Sequence, residues 1–171
     1  TGSCKSEVTF LNGEEGVLRY RGYSIEDLCE KSSFIDVAFL LIFGELPTKE
    51  ELELFNKEIK NDSLVDEDLK VILKSFPKAA HPMGVLSSLT SALIAFNPSS
   101  VDVDSEADMR EAIIILMAKF PILASWTHRK TKGLPLNYAN LSLSYVENIA
   151  QMMFKRPNED YVPSKVVVNA L

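Results

Sequence analysis

From Ser24 onward, apolar positions recur with a helical period, and only residues 7–23 read as β structure. There Glu7-Val8-Thr9-Phe10-Leu11 and Gly16-Val17-Leu18-Arg19-Tyr20 flank Asn12-Gly13-Glu14-Glu15. An Asn-Gly pair between β-forming runs signals a hairpin, because both residues tolerate positive φ. Gly22 then closes the segment.

Helix signals take over after it. Ser24-x-x-Asp27 and Ser33-x-x-Asp36 read as N-caps with an acidic residue three positions on, and Thr48-x-x-Glu51 behind Pro47 as a capping box. The stretch 34–43 is apolar nearly all round, which predicts a buried helix, and Gly44 stops it. Residues 49–60 place Leu52, Phe55 and Ile59 on one face; residues 66–76 do the same with Leu69, Ile72, Leu73 and Phe76. Pro82 suits the first turn of the next helix, whose apolar stripe is Val85, Leu86, Leu89, Ala92, Leu93 and Phe96. Asn97-Pro98-Ser99-Ser100 is a loop. A long helix follows from Ser105 to the stop at Lys132-Gly133-Leu134-Pro135, with Pro121 expected to kink or divide it. Two more helices are predicted over 141–154 and 163–171. The fold class is therefore mainly α: a small β element over 1–23, then helices over 24–171. Both ends read as cut, since the chain opens into a strand and stops inside the apolar run Val166 to Leu171. A fragment is expected.

At 171 residues, 46% of them hydrophobic and 25% charged, the chain suits one globular domain. Its net charge of −6 speaks against a nucleic-acid surface. Cys4 and Cys29 are too few for a disulfide framework or a cysteine zinc site, and read as packed or idle thiols. The longest apolar run, Ala112 to Ala118, ends at Lys119 and is too short to span a bilayer. No cationic leader with an apolar core opens the chain, so a cytoplasmic or similarly reducing compartment is expected.

The search for chemistry finds little. His81, before Pro82, suits a helix cap; His128 lies beside Arg129 and Lys130, whose charges disfavour its imidazolium. Neither has a nucleophile or orienting partner in a recognisable motif. Seven scattered glycines supply no phosphate loop, and no metal-ligand spacing occurs. Glu14-Glu15 and Asp66-Glu67-Asp68 lie in turns and helix starts, where acidic residues are structural. The basic stretch Arg129-Lys130-Thr131-Lys132 stands in a helix's last turn, where cations are stabilising for the same reason.

The run Phe10-Leu11-Asn12-Gly13-Glu14-Glu15-Gly16-Val17-Leu18-Arg19-Tyr20-Arg21-Gly22-Tyr23-Ser24-Ile25-Glu26-Asp27-Leu28 resembles the opening of citrate synthases, as does Ala38 to Thr48 with its Gly44-Glu45-Leu46-Pro47-Thr48 step. Ala80-His81-Pro82-Met83, Val101-Asp102-Val103, Asn140 to Tyr145, Asn148 and Met152-Met153-Phe154 continue the likeness in order, closest to the bacterial hexamer-forming branch. The resemblance implies the N-terminal part of the helical large domain of an acyltransferase that condenses acetyl-CoA with oxaloacetate to citrate and CoA. It implies a homodimer or hexamer, small-molecule substrates, and neither nucleic acid nor membrane as partner. In that family an Asp and two His do the chemistry and arginines clamp the carboxylates, but those segments lie beyond Leu171. His81 matches the family's non-catalytic His-Pro-Met position. No catalytic, cofactor-binding or metal residue is therefore assigned, no cofactor is expected on this chain, and the fragment alone is expected to be inactive.

Some bacterial members are inhibited by NADH in this helical region through an Arg-His-Thr stretch, where this chain reads Asn61-Asp62-Ser63. A second arginine falls on Ile115, while Lys119 is retained. Losing two cations and adding the Asp62 anion should weaken dinucleotide binding. Two alternatives stay open: a 2-methylcitrate synthase using propionyl-CoA, and a non-catalytic helical interaction module.

Overall fold

The computed structural model describes residues 5–98 and 102–170, so Cys4, Ser99, Ser100, Val101 and Leu171 lie outside the described residues. It divides into two compact units, residues 1–56 and 57–171, each taken by itself.

In the first unit, β1 (Thr9–Asn12) pairs antiparallel with β2 (Val17–Tyr20), Thr9 opposite Tyr20 and Asn12 opposite Val17. The hairpin stands where it was expected, but Asn-Gly is not its turn. Asn12 ends β1 and the loop is residues 13–16, in which Gly16 has positive φ (67°). The Asn12 Oδ1 accepts from the Glu14 and Glu15 amides at 3.1 and 3.3 Å, a side-chain-closed turn. A third strand, β3 (Tyr23–Ser24), extends the sheet past Gly22. Its two-residue loop puts both Arg21 (φ 48°) and Gly22 (φ 90°) in the left-handed region, as a twisted hairpin demands. Arg21 offsets the cost by donating to the Leu41 carbonyl at 3.3 Å.

That carbonyl belongs to the last turn of α2 (Phe34–Phe43), where no helical amide remains to meet it. Helix α1 (Ile25–Lys31) is capped by Ser24 and α2 by a Ser33–Asp36 box, with Gly44 (φ 99°) as its left-handed stop. α2 is less buried than its composition predicted: Ile35 and Leu40 are covered, but Phe34 and Phe43 are 45% and 40% exposed. α3 (Lys49–Asn61) starts at the Thr48–Glu51 box, and Phe55 stands edge-on to both Phe39 and Phe43 at 5.5 and 5.8 Å.

The second unit is built on α4 (Asp68–Ser75), α5 (Pro82–Phe96), α6 (Glu106–Lys132), α7 (Tyr145–Phe154) and α8 (Lys165–Ala170). Its core joins Leu69 and Leu73 of α4, Leu89 and Leu93 of α5, Leu123 and Trp126 of α6, and Met152 of α7. Each such side chain, fully buried, contributes about 1.5–3 kcal/mol. Pro121 does not divide α6, which runs unbroken for 27 residues. A proline lacks the N–H that would reach the carbonyl four residues back. Here that carbonyl, Met117, instead accepts from the Tyr145 hydroxyl at 2.8 Å. Gly133 (φ 68°) ends α6, with the Leu134 amide turned back to the Arg129 carbonyl at 2.9 Å.

Candidate functional site

His81 is the N-cap of α5, its Nδ1 accepting from the Met83 amide at 3.2 Å. His128 is half-buried, its ring tilted against Phe154 at 5.8 Å. Neither is placed with a nucleophile. Three of the clustered carboxylates serve structural contacts. Glu15 accepts from Asn12 Nδ2 at 2.9 Å, Asp66 caps the Asp68 amide at 2.9 Å, and Glu67 takes Lys70 and the Tyr138 hydroxyl.

The basic stretch holds the least expected geometry. Arg129 is fully buried and spends its guanidinium on the end of α7, Nη1 donating to the Met153 and Lys155 carbonyls at 3.0 and 2.8 Å. Its Nε reaches the Pro135 carbonyl, while its Nη2 is a buried donor with no partner. Burial lowers the Arg129 pKa, yet a guanidinium stays charged at any ordinary pH. Lys130 treats α4 the same way, donating to the carbonyls of Leu73 and, at 2.7 Å, Phe76. Neighbouring cations at the end of α6 thus cap two other helices. Both complement the partial negative charge of a helix C-terminus. No anion-binding patch is left there by either residue.

A cavity of about 280 Å³ opens beside Lys119, lined by Leu64, Val65, Asp66, Leu69, Leu93, Phe96 and Asn97. Lys119 is 8% exposed, and its ammonium meets Asp62 Oδ1 at 3.0 Å and Asn97 Oδ1 at 3.4 Å. It thereby ties the middle of α6 to residues that follow α3 and α5. Sequence reading singled out Asp62 and Lys119 separately; their pairing and Asn97's part in it join residues far apart in the chain. Ile115 is buried at 5% exposure. Among the described residues, no three His, Cys, Asp or Glu side chains gather as metal ligands would. No described helix is long and apolar enough to cross a membrane. Among the described residues, these polar contacts hold helix ends together, and the hydrogen bond given for His81 is to its own helix's amide.

The family model described as citrate synthase, C-terminal domain, matches residues 1–171. The chain belongs to the citrate synthase family. The citrate synthase of Corynebacterium glutamicum is 44% identical over 171 residues, covering 100% of this chain and 39% of that protein. Citrate synthase from Thermotoga maritima, a solved structure, superposes with a TM-score of 0.75 at 34% identity, covering 92% of this chain and 40% of that one. The citrate synthase of Pyrobaculum aerophilum gives 0.84 at 26% identity over 97% and 42%. This chain therefore spans about two-fifths of the length of these citrate synthases. The mainly helical fold expected from the sequence agrees with theirs.

Proposed function

We propose that this chain is the N-terminal part of a bacterial citrate synthase whose complete form condenses acetyl-CoA with oxaloacetate to give citrate and CoA. The observation that carries the reading is identity of 44% sustained over all 171 residues, with the family model matching the same span. Removing a proton from a thioester methyl needs a base and an oxyanion donor together. Here His81 is turned to its own helix amide and His128 to a phenylalanine ring. That supports a chain which scaffolds the active site while another part of the parent supplies its catalytic groups, and which is inactive alone. The parent works as a homodimer or hexamer in the cytoplasm and needs no cofactor beyond its substrates. NADH does not regulate it strongly, a reading supported by Asn61-Asp62-Ser63 and by the buried Ile115.

The test is release of the CoA thiol from acetyl-CoA plus oxaloacetate, by this chain and by the chain continued to the full length of its relatives. Turnover by the longer chain alone is the expected result. Turnover with propionyl-CoA in preference to acetyl-CoA would move the assignment to 2-methylcitrate synthase. A folded, silent longer chain would favour a helical interaction module.

A further inference from the structure

We infer that Asn12 is a site of spontaneous covalent modification, at which the Gly13 amide nitrogen closes onto the side-chain carboxamide and expels ammonia. Asn12 is the one asparagine in the sequence that precedes a glycine. It is half-buried at the end of β1, while residues 13–16 beyond it are exposed to water. Gly13 brings no side chain to crowd its nitrogen, and even an added Cβ would meet nothing within 4 Å. The Asn12 carboxamide is already polarised, because its Oδ1 accepts from the Glu14 and Glu15 amides at 3.1 and 3.3 Å. Those bonds fold the side chain back over the turn that holds the Gly13 nitrogen. They also donate where negative charge gathers on Oδ1 as the nitrogen attacks, as an oxyanion hole does. Nδ2, the group to be expelled, donates to Glu15 Oε2 at 2.9 Å.

A bond forms between the Gly13 nitrogen and Asn12 Cγ, and the Cγ–Nδ2 bond breaks. The proton lost by the Gly13 nitrogen passes through water to Nδ2, which departs as ammonia and leaves a succinimide ring. Water then opens the ring, with no change of oxidation state at either step. Attack at Cγ yields aspartate; attack at the Asn12 main-chain carbonyl yields isoaspartate, with the chain rerouted through Cγ. Aspartate keeps the two amide donors but no longer donates to Glu15, whose carboxylate it repels. Isoaspartate inserts an extra backbone atom where Asn12 faces Val17 in the β1–β2 ladder, and so loosens the closing pair of the hairpin.

The test is incubation of this chain in mildly alkaline buffer, with and without urea, followed by peptide mass mapping of every asparagine and separation of aspartate from isoaspartate. In the folded chain Asn12 should convert about tenfold faster than any other asparagine, and at least as fast as it does in urea. Gly13→Ala, whose methyl crowds the attacking nitrogen, should slow the conversion at Asn12 by about tenfold or more. Conversion spread evenly over the asparagines would overturn the inference. So would an Asn12 that stays intact in the folded chain yet converts in urea, since the turn would then protect it. An unchanged rate in a folded Gly13→Ala chain, checked by circular dichroism, would overturn it as well. Should that variant not fold, the wild-type rates with and without urea decide.

Discussion

The Tyr145 hydroxyl lies 2.8 Å from the Met117 carbonyl, the acceptor that Pro121 leaves without its helical donor. A residue at the start of α7 thus repairs a defect in the middle of α6. Tyr145→Phe should cost about 1 kcal/mol by urea denaturation, the usual net worth of one hydrogen bond. In a Pro121→Ala background the helix supplies its own N–H, and the same substitution should cost less. Equal costs in the two backgrounds would show that the hydroxyl serves something else.

Burial pushes the Tyr145 phenol well above its ordinary value. A raised folded-state pKa means stability fully present below the unfolded value, about pH 10, and lost as pH rises beyond it. Urea midpoints measured on the alkaline side should therefore fall less steeply with pH in Tyr145→Phe than in wild type.

Arg129 is a costly side chain to remove, because it is fully buried and serves several carbonyls. Truncation to Met leaves the Met153 and Lys155 carbonyls without their charged donor, and should destabilise by about 2–4 kcal/mol. Lys should restore only part of this, because an ammonium cannot reproduce the fork that spans the α7 and Pro135 carbonyls. Equilibrium unfolding of the three proteins gives the comparison.

The capping boxes set an acid limit. The Thr48 amide, and then its hydroxyl, hold Glu51 below its ordinary pKa; the Ser144 hydroxyl, and then its amide, do the same for Glu147. Asp27 is lowered by Lys31 and by Ser24. Depressed folded-state values mean stability present above the unfolded carboxylate pKa, about 4, and lost as pH falls through the lower folded values. The wild type's urea midpoint should drop on acidification through this window, and more gently in Glu51→Gln with Glu147→Gln.

Two glycines separate backbone strain from crowding. An added Cβ meets nothing within 4 Å at Gly13 or at Gly133, but Gly133 has φ of 68° and Gly13 is not among the positive-φ residues. Gly133→Ala should cost about 1 kcal/mol and Gly13→Ala almost nothing, read from thermal unfolding.

Local signals were the legible part of this chain. Ser33 with Asp36, Pro82 and Gly44 each set a helix end through neighbours within a few residues, and α2 runs from Phe34 to Phe43 as the pattern predicts. Ser144 and Glu147 form a capping box of the same kind that the broader 141–154 reading passed over, although the spacing is in the sequence. β3 was missed because it depends on Arg21 accepting a left-handed conformation, which asparagine or glycine would have announced. Pro121 misled for a different reason: its remedy, Tyr145, lies 28 positions away in the chain. The Asp62–Lys119 pair is similarly remote, so each residue could be noticed alone while their pairing could not.

The double cap at the end of α6 makes three helices share one fate. Fraying at a helix terminus is ordinarily local and frequent, costing little and exposing few amides. Here, loosening the last turn of α6 would withdraw Arg129 from α7 and Lys130 from α4 at once. Amide protons near all three termini should then exchange with solvent at a common, slow rate. A segment that looks like a loose end would behave as a keystone.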